Sequence, residues 1–158
     1  MTIDPKAHIG HVHLTVSDLD RALAFYRDAL GFEVTTRYGT NAVFLSAGGY
    51  HHHIGLNTWA GRGAPQPPHG TTGLYHFAIL YPDRGALARA VRCVLDHGVR
   101  LEGAADHGVS EAVYLKDPDG NGIELYRDRP DREWPRGPDG SIAMQTLPLD
   151  LEALLSEA

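Results

Sequence analysis

The chain is poor in sulfur, with one cysteine, Cys93, and two methionines among 158 residues. A single thiol excludes an internal disulfide framework, so the fold must rest on an ordinary packed core. No apolar run approaches the ~20 residues of a membrane-spanning helix, and the opening "MTIDPKAHIG" lacks the apolar segment of a secretory leader. Basic residues are also scarce. Fourteen Lys and Arg against 20 Asp and Glu give a formal net charge of -6. That balance argues against nucleic acid or an anionic membrane as a partner. Hydrophobic residues at 42% and charged residues at 22% suit a globular domain. Together these features predict a soluble cytoplasmic protein with neither nucleic-acid nor membrane partners. Histidine, by contrast, is plentiful: ten are present, three of them consecutive in "YHHHIGLN" (50–57).

The chain repeats itself. "HVHLTVSDLDRALAFY" (11–26) and "HFAILYPDRGALARAV" (76–91) each begin with His, continue as a strand, reach Asp seven residues on and turn helical. Ala22, Leu23, Tyr26, Ala29 and Leu30 fall on one helical face, as do Leu87, Ala90, Val91, Val94 and Leu95. Ser17 or Asp18 caps the first helix, and Gly31 and Gly98 fit the positions just past the two C-termini. Each helix leads into a short strand, "FEV" or "VRL". Two more strands follow in each half: "AVFLS" and "HHIGLN", then "EAVYLK" and "GIELYR", with turns at "AGGY" and "DPDGNG". The expected fold is therefore α+β, two βαβββ modules at about residues 8–59 and 72–127. The Gly/Pro-rich stretch 58–73 reads as their linker, and residues 128–158 as a charged tail with one short helix packed on the surface or at an interface.

Alternation along strands sends every second side chain to one face. With Val12, Leu14 and Val16 packed inward, His11, His13 and Thr15 face the other way. With Tyr75, Phe77 and Ile79 inward, His76 faces outward; with Ile123 and Leu125 inward, Glu124 does. His11 and His76 hold the same place in the repeat. If the halves close into a half-barrel, His11, His76 and Glu124 form a two-His, one-carboxylate metal set of the kind that leaves positions open for substrate and dioxygen.

These features, with "DPDGNGIELY" (117–126), resemble the vicinal oxygen chelate superfamily over residues 8–127. That family includes glyoxalase I, extradiol dioxygenases, fosfomycin-resistance enzymes and bleomycin-resistance proteins. The resemblance implies the glyoxalase/dioxygenase fold and the same metal ligands, His11, His76 and Glu124. Within the family the chain is most similar to catechol 2,3-dioxygenase-like, type I extradiol enzymes. "FLSAGGYHHHIGL" (44–56) matches the segment whose His stands beside the metal for acid–base work, and His52 is the nearest equivalent. "DHGVSEAVYLKDPDGNGIE" (106–124) supplies His107 and Tyr114 as further catalytic residues. Alternation instead turns His51, His53 and Asn57 toward the site. A bulge near "AGGY" would reconcile the two readings. His13, His53 and Asn57 are thus additional site-lining candidates.

The chain departs from the dioxygenase pattern in three places. His13 replaces an apolar residue, the segment from His107 to Glu124 is about two residues shorter, and the chain resembles a catalytic domain without the extra N-terminal domain of two-domain enzymes. The resemblance implies Fe(II)-dependent extradiol cleavage of a catechol-type aromatic diol by dioxygen, in a homodimer. Mn, Ni, Zn or Co are the alternative metals. The competing functions are a glyoxalase-type isomerase or epimerase, a fosfomycin-resistance-like transferase, and a bleomycin-resistance-like binding protein. No second carboxylate lies near residues 51–55 for the first. No basic cluster in the second half serves the phosphonate of the second.

Overall fold

The computed structural model describes residues 2–158, which form two compact units, one running to Pro67 and the other spanning Pro68–Ala158. In the first, β1 (Val12–Thr15), α1 (Leu19–Leu23), β2 (Glu33–Tyr38), β3 (Ala42–Ser46) and β4 (Ile54–Asn57) make a four-stranded sheet of order β1-β4-β3-β2. The second repeats the plan with β5 (Phe77–Leu80), α2 (Arg84–Asp96), β6 (Leu101–Asp106), β7 (Ser110–Lys116) and β8 (Gly122–Asp128). A fifth strand, β9 (Leu147–Pro148), extends that sheet to β5-β8-β7-β6-β9. The expected α+β class with paired βαβββ modules is what the chain adopts. Both sheets even carry a register shift at the same place, between Val34 and Thr36 and between Leu101 and Gly103.

The helices start where short polar side chains can accept backbone N–H groups. Asp18 accepts from the Arg21 amide at 2.8 Å, and Asp83 from the Ala86 amide at 2.7 Å. Of Ser17 and Asp18, the cap is Asp18. α2 packs against β8 and buries Leu87, Ala88, Val91 and Val94, while Val113 and Leu115 of β7 and Ile123 and Leu125 of β8 are buried as well. The first helix is less regular than its spacing predicts. After Leu23 it passes into a π-helical turn, Ala24–Ala29, closed by the Leu30 amide on the Phe25 carbonyl at 2.9 Å. The extra residue in the turn buries Phe25 beside Tyr26 and leaves Leu30 only half-buried.

One expectation changes. Tyr75 does not pack with Phe77 and Ile79; it is 88% exposed, because the sheet begins only at Phe77. The tail is integral to the second unit. β9 pairs with the end of β6, and α3 (Leu151–Leu155) packs on α2 through the fully buried Leu154. Arg84 binds the Ala153 carbonyl and the Glu157 carboxylate, and Arg92 the Leu155 carbonyl. Among the described residues, no helix is long and apolar enough to cross a membrane.

The β5–β8 pairing depends on Gly122. A Cβ there would lie 2.1 Å from the Tyr75 carbonyl oxygen, a backbone atom that cannot step aside. Gly122→Ala should therefore destabilise by about 1–3 kcal/mol in urea denaturation, and an unchanged midpoint would contradict the close approach. Burial pushes the Tyr81 hydroxyl up to about 12, with Cys93 a smaller contributor. A raised pKa favours the protonated form in the fold, so this contribution is complete below the unfolded value of about 10 and is lost as pH rises through about 12. Across that window the wild type should lose roughly 2 kcal/mol more stability than Tyr81→Phe. Parallel losses in the two proteins would show that the hydroxyl is not held in this way.

Candidate metal centre

In the second unit the "DPDGNG" turn sets the geometry. The buried Asp117 carboxylate accepts the amide N–H groups of Asp119 (2.9 Å) and Asn121 (2.8 Å) and the Asn121 side-chain amide (2.9 Å). Gly120 takes φ +87°, a left-handed conformation that glycine adopts without strain. The clamp fixes the β7–β8 register so that Glu124 stands directly across from Tyr114, while the parallel pairing with β5 sets Ala78 beside Glu124. His76, two residues before Ala78, then brings Nε2 to 3.1 Å from Glu124 Oε2. The Tyr114 hydroxyl lies 3.2 Å from the other carboxylate oxygen, Oε1. His107 Nε2 is 2.7 Å from that same hydroxyl. Desolvation, with the Glu124 charge second, pushes the Tyr114 phenol up to about 12, so it remains a proton donor at neutral pH.

His107 sits at the β6–β7 turn, with its amide on the Ser110 carbonyl at 2.8 Å. Asp106 braces the turn, accepting the Gly108 amide at 2.8 Å and Arg129 at 2.6 Å. Behind them Glu111, 5% exposed, holds Arg84, Arg127 and Arg129 at 2.9–3.1 Å. A carboxylate this buried persists only with such charged partners. Its strand was legible in the sequence, but nothing in the sequence marked Glu111 as inward-facing. The backbone of Gln145, which meets His107, was likewise missed.

In the first unit, β1 and the residues flanking it bury Leu14 and Val16 and leave His11, His13 and Thr15 exposed, as alternation predicts. The His52 ring lies 4.4 Å from His11 and 5.0 Å from Phe44, centroid to centroid. Residues 51–53 form a bend ahead of β4, so strand alternation does not govern them. The left-handed Gly48 and Gly49 make the preceding turn, and no bulge is involved. His51 and His52 approach Nδ1 to Nδ1 at 2.7 Å, which requires one ring to donate and the other to accept. Desolvation first, then His11, His51, His13 and His53, holds the His52 pKa below its ordinary value. His53 turns onto Ser46 (3.1 Å) and the Ala47 amide (3.3 Å). Asn57 is buried, its amide donating to the Leu14 carbonyl at 3.4 Å and accepting the Trp59 amide at 3.1 Å, so it braces backbone and does not line a surface. His13 meets Phe44 and Trp59 at 5.6 and 5.5 Å, forming an aromatic wall.

Among the described residues, neither unit gathers three His, Cys, Asp or Glu side chains as a complete metal cage. The second unit does hold a pair that fits a divalent transition metal. Two ligand atoms each about 2.0–2.2 Å from one cation, at right angles, lie roughly 3 Å apart. The separation of His76 Nε2 and Glu124 Oε2 matches that edge. An imidazole and a carboxylate suit Fe, Mn, Zn, Ni or Co.

The sequence model of the glyoxalase/bleomycin resistance protein/dioxygenase superfamily matches residues 8–125. A Catechol-2,3-dioxygenase of Bacillus subtilis is 43% identical over 157 residues, 99% of this chain and 54% of that protein. A Biphenyl-2,3-diol 1,2-dioxygenase of Rhodococcus globerulus is 33% identical over 81% of this chain and 66% of its own length. The chain thus spans between about half and two thirds of these relatives. Among solved structures, a lactoylglutathione lyase from Agrobacterium tumefaciens superposes with TM-score 0.59 at 27% identity, covering 78% of this chain and 96% of that one.

The His13 wall depends on Gly55. A Cβ there would lie 2.9 Å from two atoms of the His13 ring. Gly55→Ala should shift the emission of Trp59, read in a Trp134→Phe background, and cost about 1–3 kcal/mol. Unchanged emission and stability would show that the ring does not rest on this glycine.

Proposed function

The chain belongs to the glyoxalase/bleomycin resistance protein/dioxygenase superfamily, and from that premise we propose that it is an Fe(II)-dependent extradiol dioxygenase opening a catechol-type aromatic diol. The observation that carries the reading is the hydrogen-bonded series His107–Tyr114–Glu124 ending on His76. Proton-handling groups there adjoin a pair of metal-competent side chains. The 43% identity to a Catechol-2,3-dioxygenase across 99% of the chain supports the same reading.

His76 and Glu124, with His11 as the third ligand, would hold the metal. Fe(II), when bound, supplies the electron transfer between diol and dioxygen that side chains lack. The chain's own groups do the rest. His52, kept largely neutral by desolvation and its imidazole neighbours, accepts a proton from a diol hydroxyl at a ring nitrogen and returns it to the product. Tyr114, protonated at neutral pH, donates to oxygen as negative charge develops, and His107 orients that phenol. Phe44, His13 and Trp59 offer flat surfaces for the aromatic ring. A homodimer is part of the proposal, checked by sedimentation.

A second reading, a lactoylglutathione lyase-type isomerase, is favoured by size, since the solved lyase is covered over 96% of its length. It lacks support at residues 51–55, where this chain offers imidazoles and no carboxylate.

Anaerobic loading with Fe(II), followed by catechol and air, should give a yellow ring-cleavage product. No product from iron-loaded protein, together with isomerisation of a hemithioacetal by the Ni(II) or Zn(II) form, would favour the lyase. His11→Ala, His76→Ala and Glu124→Ala should each lose bound iron by metal analysis. His52→Ala should keep iron yet slow turnover by about 10²–10⁴-fold, and unimpaired turnover would remove its acid–base role.

A further inference from the structure

The stretch after Asp128 lies beyond the family-matched residues, yet it returns to the candidate site. β9 pairs with the end of β6, Ala105 opposite Pro148 and Asp106 opposite Leu147. Just ahead of β9, Gln145 makes two backbone contacts with His107. Its N–H donates to the His107 carbonyl at 3.0 Å, and its own carbonyl lies 2.7 Å from His107 Nδ1. A carbonyl oxygen only accepts, so Nδ1 must carry the hydrogen. The other ring nitrogen, Nε2, faces the Tyr114 hydroxyl at 2.7 Å, and that hydroxyl reaches Glu124 at 3.2 Å. Gln145, His107, Tyr114 and Glu124 therefore form one continuous line from the tail to the proposed metal ligand.

The tail is fastened on several sides of this line. Gly108, beside His107, takes φ +74°, and a Cβ there would meet Pro135 Cγ at 2.8 Å, so the tail lies directly on the turn. The Trp134 indole donates to the Arg129 carbonyl at 2.7 Å, and Arg129 in turn binds Asp106 and Glu111. Beyond Gln145, α3 is anchored on α2 by Leu154 and by Arg84 and Arg92.

We propose that the C-terminal segment is a working part of the site, with Gln145 as a positioning residue that holds His107 in its Nδ1-protonated form and aims Nε2 at Tyr114. The kinetic consequence rests on the dioxygenase reading; the structural one does not. The phenol has one hydrogen, which goes either to Glu124 Oε1 at 3.2 Å or to Nε2 at 2.7 Å, and a ring protonated at Nδ1 alone presents Nε2 as the nearer acceptor. Released from the Gln145 carbonyl, the ring is free to adopt the other tautomer. Nε2 would then donate to the phenol oxygen, leaving Glu124 Oε1 as the acceptor for the phenolic hydrogen.

The test uses the full-length chain labelled with ¹⁵N-histidine. Long-range ¹H–¹⁵N spectra, with the His107 signals assigned through His107→Gln, should show the single Nδ1–H tautomer. Replacing Thr146 by its α-hydroxy acid analogue turns the Gln145 carbonyl into an ester, a weaker acceptor, without altering any side chain. That chain should show mixed tautomers at His107, and kcat for catechol about 10–100-fold lower with KM little changed. Gln145→Pro, which removes the N–H arm, should shift the same signals, and thermal melts establish that each variant is folded. Ser156→Ala, in the tail but off the line, should leave both readouts as in the wild type. An Nε2–H tautomer in the wild type, or an unchanged tautomer in the folded ester chain, would overturn the proposal. Mixed tautomers with unchanged kcat would overturn its catalytic part. If the wild type does not turn over catechol at all, the dioxygenase reading fails by itself, and the spectra still decide the positioning.

Discussion

Three N–H groups converge on the Asp117 carboxylate, and the site of the second unit depends on that convergence. The clamp ends β7 and starts β8 in one register, placing Glu124 opposite Tyr114 and beside Ala78. A slip of one residue would turn Glu124 to the helix-covered face and bring Ile123 or Leu125 out in its place. The "DPDGNG" motif thus acts on chemistry indirectly. By setting the register, it determines which side chain faces His76.

The two units solve the same problem with different local means. In the second, polar contacts run in series from a backbone carbonyl through imidazole and phenol to a carboxylate. In the first, five imidazoles crowd around one strand end and a bend, and their mutual influence with desolvation keeps His52 below its ordinary pKa. The second unit therefore offers a protonated phenol, and the first an imidazole held below its ordinary pKa. Family membership alone does not distinguish a dioxygenase from an isomerase, because the same fold hosts both.

Much of this was legible in the sequence, for reasons that can be named. The paired His-strand-Asp-helix segments announced the repeat, and alternation correctly exposed His11 and His13 while burying Leu14 and Val16. Alternation gave no guidance at His51, His52 and His53, because a bend has no pleat. It also failed at Tyr75, two residues ahead of its strand. The π-helical turn was hidden because an inserted residue shifts the apolar face only locally. The tail was the largest gap. Its short helix was expected, but its two-residue strand is too short for periodicity to register, and the hold of that strand and of Gln145 comes from backbone contacts that no side-chain pattern encodes.

The central claim is that a cation is held by imidazole and carboxylate together, beside the Tyr114–His107 pair. X-ray absorption at the iron edge of the anaerobically Fe(II)-loaded full-length chain addresses it directly. The account predicts the multiple-scattering signature of two imidazoles with oxygen ligands filling the remaining shell. A shell of oxygen scatterers alone, with no imidazole signature, would contradict it.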